Sequence, residues 1–143
     1  MFSNSSKYAV KAVLYLAANS TSEYKVMVKD IAEPINVPQA YIAKLLQQLV
    51  HADIVSSARG PKGGFYLNSN NLEASIMDII VTIDGDDKLL SCMLSLENCN
   101  KNKPCPLHHI LSASKNTVLK NLNNLKIKDA ADQIITGKSF LPL

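Results

Sequence analysis

No stretch of this chain approaches the roughly 20 apolar residues that a membrane span requires. The most apolar run near the start, Tyr8 to Ala18, is interrupted by Lys11, and its spacing suits an amphipathic helix better than a secretory leader. Arginine is almost missing, with Arg59 the only one in 143 residues. No glycine-rich phosphate loop follows a strand, and His51, His108 and His109 have no nucleophile or carboxylate partner at a motif spacing; an enzyme is therefore not expected. Cysteine is scarce and odd in number, with Cys92, Cys99 and Cys105 confined to fourteen residues. That excludes a closed disulfide framework and leaves a metal or redox site in a protein expected to be cytoplasmic.

The length and the 47% hydrophobic content suit one core with appendages. The net charge of +3 is unevenly placed: residues 1–70 carry seven cations against four carboxylates, and residues 71–143 carry eight of each. A basic half beside a neutral half fits one part that binds a polyanion and another with a different task. Two regions are expected accordingly, 1–70 and 71–143.

In the first region, Tyr8, Ala9, Ala12, Val13, Leu16 and Ala17 recur at three- and four-residue spacing. They predict a helix from Ser6 to Ala18, capped by Ser5 or Ser6. A short helix is expected over Val28 to Ile35, ended or bent by Pro34. Asn36 and Val37 make a turn, and Pro38 suits the first position of a third helix. There Ile42, Leu45, Leu46 and Leu49 form the apolar stripe, leaving Gln39, Ala40, Lys44, Gln47 and His51 outward and Tyr41 at the boundary. Short helix, tight turn and polar-faced helix are the arrangement that sets a recognition helix in the major groove of DNA. Ile54 to Ser57 and Gly64 to Leu67 then read as paired strands, joined by a glycine-rich tip that carries Arg59, Gly60 and Lys62. Such a wing can bring a guanidinium to a narrow minor groove.

The run Ser6-Lys7-Tyr8-Ala9-Val10, the third helix with Tyr41, and above all Val55-Ser56-Ser57-Ala58-Arg59-Gly60-Pro61-Lys62-Gly63-Gly64-Phe65 resemble the IscR and NsrR group of winged-helix regulators, the Rrf-two family. The resemblance covers nearly the whole chain. It implies a homodimer on a double-stranded DNA operator, with each third helix in a major groove and each wing arginine in the adjacent minor groove. Pro34 in the second helix departs from the pattern.

After Asn68 to Asn71, a linking helix is expected through Ile76, Ile79, Ile80 and Ile83, opened by a Ser75–Asp78 capping box. It ends at Asp84-Gly85-Asp86-Asp87, read as a solvated turn. The loop of about 88–108 follows, with Cys92, then Cys99 seven positions on, Cys105 six further and His108 three beyond that. Three thiolates and an imidazole can complete a four-ligand site for zinc, or for iron in a cluster where histidine replaces one thiolate. The spacing does not choose between them, although the loop lacks the paired knuckles common in structural zinc sites. The resemblance does choose. Iron-sulfur members carry three cysteines here, and IscR-type members add a histidine three residues after the last, whereas NsrR-type members lack it. It therefore implies an iron-sulfur cluster on Cys92, Cys99, Cys105 and His108, 2Fe-2S in preference to 4Fe-4S, with His109 nearby but not a ligand.

Leu107, Ile110, Leu111, Ser114, Val118, Leu122 and Leu125 predict a long helix whose stripe the resemblance assigns to dimerisation, and Ile127 to Ile135 a short closing helix. The expected protein is mainly α: a winged helix-turn-helix with a two-stranded wing and a long C-terminal dimerisation helix. Its expected function is sequence-specific transcription regulation under control of a cluster that senses redox state, iron-sulfur status or nitric oxide. Two alternatives remain. One is the same fold as a zinc-bound or thiol-switch regulator; the other is an iron-sulfur electron carrier, which would leave the wing and third helix without a purpose.

Overall fold

A computed structural model describes residues 2–92, 94 and 97–143; three positions of the 88–108 loop, 93, 95 and 96, lie outside the described residues. Helix α1 spans Asn4–Asn19. Its cap is Ser3, earlier than the two serines expected, and Ser3 Oγ accepts from the Ser6 backbone N–H at 3.0 Å. Satisfying one of the unpaired N–H groups there fixes where the helix begins. Its buried face of Ala9, Ala12, Val13 and Leu16 includes two alanines that let other helices approach closely.

Helix α2 is Val28–Ile35, and Pro34 stands inside its last turn. Only one helical residue follows the proline before Asn36 takes the left-handed conformation at φ 59°, with the Asn36 N–H donating to Glu33 O at 3.1 Å and that of Val37 to Ala32 O at 3.2 Å. Pro34 thus shortens α2 without bending the turn away. Helix α3, Gln39–His51, begins one residue after Pro38, which serves as its cap. Ile42, Leu45, Leu46 and Leu49 are buried as the stripe predicts.

The wing consists of β1, Ser56–Ala58, and β2, Gly64–Tyr66, antiparallel with Ser57 opposite Phe65. It starts two residues later than the β-rich run at Ile54 suggests, because Ile54 and Val55 are buried in the core and their N–H groups close the end of α3 on Leu49 O. A second pairing secures the wing's other edge. Val26 exchanges two backbone hydrogen bonds with Phe65, at 2.9 and 2.8 Å.

Helix α4, Ser69–Leu72, is a single turn where only a break was expected. Its buried Asn71 accepts from Ser56 Oγ at 2.7 Å and from the Asn68 N–H at 2.9 Å, and donates to Asp53 O at 2.8 Å. A buried amide with its partners in place orients the wing base against the rest of the chain. Helix α5, Ile76–Asp84, opens with the expected Ser75–Asp78 capping box. A short α6, Asp86–Leu90, follows, so Asp86 and Asp87 begin a helix and do not simply end one. Helix α7 is His108–Asn124 and α8 Ile127–Ile135. Backbone bonds from Ile127 N–H to Ala74 O and from Ile76 N–H to Leu125 O, both 2.9 Å, tie the last helix to the start of α5. Glu73 adds exposed ion pairs to Lys126 and Lys128, which matter little in salt.

The core gathers Leu16, Ile31, Ile42, Leu46, Leu49, Ile79 and Ile127, all fully buried. Each such side chain contributes about 1.5–3 kcal/mol of burial. α5 and α8 also pack on α1, and α5 touches α3 as well.

Gly64 adopts φ +146°, and a Cβ there would lie 2.7 Å from Val26 O. Gly64→Ala should cost about 1–3 kcal/mol of unfolding free energy and loosen the wing edge. Denaturant unfolding measures the first, and hydrogen exchange of the Val26 and Phe65 amides the second; an unchanged midpoint and unchanged protection would show that the pairing is not tight.

Candidate DNA interface and cysteine site

On α3, Gln39, Ala40 and Lys44 are exposed, as expected of residues free to meet a ligand, and Gln47 and His51 continue that face. Tyr41 behaves differently. It is half-buried, meets Tyr8 edge-on with centroids 5.9 Å apart, and its hydroxyl lies 2.7 Å from Ser5 Oγ. The ring thus braces α3 against α1, leaving its neighbours to face outward. In the wing tip, Arg59, Gly60 and Lys62 are exposed, and neither cation is paired among the described residues. Gly60 reaches φ +102°, and its carbonyl accepts from the Gly63 N–H at 2.9 Å. A cation left unpaired at a glycine turn can approach a phosphate or groove wall without first breaking a bond.

The four sulfur and nitrogen donors meet at the start of α7. Cys92 Sγ is 4.0 Å from Cys105 Sγ, and Cys99 Sγ is 2.9 Å from His108 Nδ1. Cys92 and Cys105 also act electrostatically on the Cys99 thiol, and the three cysteines and His108 border one space. Proximity follows from local structure. His108 is the first residue of α7, and its N–H donates to Cys105 O at 3.0 Å, while Cys92 follows α6 directly and its N–H donates to Glu97 O at 2.9 Å. All four side chains line a cavity of about 600 Å³ whose other walls include Leu90, Leu107, Leu111, Lys115 and Leu119. Among the described residues no three His, Cys, Asp or Glu side chains are drawn together as a metal-holding group. His109 is exposed and stacks edge-on with His108 at 5.3 Å.

Loss of hydration raises the Cys99 thiol above its usual range, the neighbouring Cys92 and Cys105 add to this, and Lys115 opposes it. Cys99 is itself exposed, so crowding by like groups is the more persuasive of these causes. The first turn of α7 contains no acid, and the partial positive charge at a helix N-terminus suits thiolates. Thiolates bind iron and zinc through sulfur, and the imidazole supplies nitrogen. The donor set therefore fits either an iron-sulfur cluster or a metal ion by its chemistry.

Two residues important to this arrangement were not evident beforehand. Lys115, two turns beyond His108, donates to Ser91 O at 2.7 Å, beside Cys92. Asp84 was read as part of a solvated turn, yet it accepts from the Ser3 N–H at 3.0 Å, from Ser6 Oγ at 2.9 Å and from the Ser3 hydroxyl. Burial works against the Asp84 carboxylate, but the Ser3 hydroxyl and N–H, the Ser6 hydroxyl and Lys88 outweigh it and hold the carboxyl below its usual value. Asp84 thus joins the end of α5, next to the cysteine segment, to the start of α1, where Ser5 meets Tyr41.

The long stripe anticipated for α7 divides in two. Leu111, Leu119 and Leu122 face the chain's own structure, whereas Ile110 and Val118 are exposed, and no residue of α7 is fully buried.

A recognition helix beside a glycine-tipped wing defines a winged-helix DNA-binding protein. Residues 2–133 match the Rrf2 family, described as iron-dependent transcriptional regulators, and the chain belongs to that family. It is 32% identical over 138 residues to a transcriptional regulator of the helix-turn-helix type from Aquifex aeolicus, covering 90% of this chain and 94% of that one. The regulator IscR of Pectobacterium atrosepticum is 28% identical over 94% of this chain and 79% of its own length. Among solved structures, CymR, the global cysteine regulator of B. subtilis, superposes with a TM-score of 0.75 at 23% identity, over 92% of this chain and 96% of that one. T. potens IscR gives 0.73 at 22%, over 97% and 91%. The chain is thus a transcriptional regulator of a non-enzymatic family, with the mainly helical winged fold expected. No helix among the described residues is long and apolar enough to cross a membrane.

Asp84→Asn should lower stability at neutral pH by roughly 1–2 kcal/mol. A depressed folded pKa contributes stability above the unfolded value, and that contribution is lost as pH falls through the folded one. Wild type and variant should therefore differ at pH 7 and converge as pH drops below about 4. Chemical unfolding across that range checks this; a constant difference would assign the effect to packing.

Proposed function

We propose that this Rrf2-family regulator senses its signal through an iron-sulfur cluster held by Cys92, Cys99, Cys105 and His108. The observation that carries the reading is the convergence of these four side chains on one cavity at the start of α7. A 2Fe-2S cluster is preferred over 4Fe-4S because the pattern of Cys92, Cys99, Cys105 and His108 resembles that of IscR-type members, and a histidine can stand in for a thiolate on a two-iron cluster; zinc on the same four donors is the alternative. When bound, the cluster would supply one-electron redox chemistry and reactivity toward oxidants or nitric oxide. The chain's own residues do the rest. His108 fixes the site to α7, Cys92 fixes it to α6, and Asp84 passes any displacement of the α5–α6 corner to the start of α1 and, through Ser5 and Tyr41, to α3.

On DNA, Gln39, Ala40, Tyr41 and Lys44 are assigned to the recognition surface, and Arg59, Gly60 and Lys62 to the wing contact. The exposed Ile110 and Val118, two turns apart on α7, support pairing with a second copy, as a roughly palindromic operator would require. A second reading has its own support. With Cys92 and Cys105 sulfurs 4.0 Å apart, an external two-electron oxidant such as a peroxide or a disulfide would join them with loss of two protons, giving a thiol switch without a cluster.

Visible absorption with iron and sulfide assays on anaerobically purified protein decides between the readings. The cluster reading predicts a coloured protein with stoichiometric iron and sulfide, lost in Cys92→Ala and altered in His108→Ala. A colourless protein after cluster reconstitution, whether with zinc or without metal, would reject it.

For the wing, Arg59→Ala should weaken operator binding, whereas Lys62→Ala should weaken specific and nonspecific DNA alike and reduce the salt slope by about one. Binding isotherms at several salt concentrations measure both. Unchanged affinity in Arg59→Ala would remove the wing from the interface.

A further inference from the structure

Lys115 lies outside the set of ligands, and its position gives it a separate task. It is seven residues beyond His108, so the two share one face of α7, together with Leu111 and Leu119 on the cavity wall. The side chain is half-buried, and its ammonium is held by the Ser91 carbonyl at 2.7 Å, one residue before Cys92. Lys101 also lines the cavity, but it is exposed and has no bond among the described residues. Lys115 is thus the anchored cation of a cavity wall that also offers thiols, an imidazole, amides, hydroxyls, leucines and the exposed Lys101.

We propose that Lys115 is a positioning and potential-setting residue for the cluster: its bond to Ser91 holds the Cys92 backbone, and its charge favours the reduced form. The inference rests on the cluster reading above. A 2Fe-2S group on three thiolates and a neutral imidazole carries one net negative charge when both irons are ferric. Accepting one electron from an external reductant makes one iron ferrous and adds a second negative charge. A nearby fixed ammonium stabilises the more negative state more, and partial burial limits screening by solvent. Removing the charge must therefore lower the midpoint potential.

The two tasks separate by substitution. Lys115→Gln keeps a donor for the Ser91 carbonyl but loses the charge, Lys115→Arg keeps the charge, and Lys115→Met loses both. Each full-length protein is reconstituted anaerobically with iron and sulfide, assayed for both, and titrated with dithionite against mediator dyes; Lys101→Gln is the control. Lys115→Gln should hold wild-type iron and sulfide yet show a reduced-to-oxidised ratio, at the wild-type midpoint, lower by about tenfold, equivalent to about 59 mV for one electron. Lys115→Arg and Lys101→Gln should stay within about threefold of wild type, and Lys115→Met should in addition lose cluster more quickly.

A Lys115→Gln midpoint equal to wild type, or a Lys101→Gln shift as large, would overturn the proposal. If Lys115→Gln fails to hold a cluster, Lys115→Arg decides: retention at the wild-type midpoint supports the requirement for charge, and loss in both rejects it in favour of packing. Wild-type protein that takes up no iron and sulfide would reject the cluster reading itself, and this inference with it. That outcome is distinct from a loaded wild type whose midpoint is indifferent to Lys115.

Discussion

Burial of one face of α1 is the constraint on which the other elements depend. Ala9, Ala12, Val13 and Leu16 are fully enclosed, and α2, α3, α5, α8 and β2 all pack on this one helix. Its start is held by Ser3 and Asp84, and close packing through its alanines leaves little freedom for a neighbour to move alone. The reading helix α3 and the helix α5 that leads toward the cysteines both pack on it, and they also touch each other. A helix shared by the elements of two functional regions is a natural means for one to influence the other.

The physical route between them is short. Asp84 ends α5, Gly85 turns the chain at φ +80°, and α6 then leads directly to Cys92. At the other end, the serines that bond to Asp84 flank Ser5, whose hydroxyl meets the Tyr41 phenol. Three hydrogen bonds to a partly buried carboxylate make a junction that is strong when aligned and costly when displaced. On the proposed function, a change at the cysteines need shift this corner only slightly to alter how α3 is presented. Bistability of such a junction, not its length, is what a switch requires.

Much of this was legible in the residues. Stripe periodicity located α1 and α3, the capping box located α5, and glycine spacing located the wing. Boundaries moved where a local hydrogen bond outranked propensity: Ser3 in place of Ser5 or Ser6 as the cap, and Ile54 and Val55 in the core in place of the strand. The closeness of Cys92, Cys99, Cys105 and His108 was suggested by their spacing within one loop, whereas their use as ligands belongs to the proposed function. What was hidden depends on contacts distant in sequence. Asp84 looks like any acid in an acidic turn until Ser3 is placed beside it, and Lys115 looks like a solvated helix cation until Ser91 is. Asn71 similarly read as part of a polar break, although it organises the wing base. The α7 stripe mixed two faces because leucines and isoleucines at neighbouring positions share a periodicity, and only packing tells which are covered.

The central claim is that the cysteine site controls DNA affinity. The most direct measurement compares operator affinity of one anaerobic preparation before and after removal of iron and sulfide, at fixed salt and without oxidation of the thiols. The account predicts a difference of at least about fivefold, the lower end of ordinary coupling between two sites, and predicts that Asp84→Asn diminishes it. Equal affinities in the two forms, with full cluster occupancy in the first, would contradict the claim and leave the cysteines without a part in regulation.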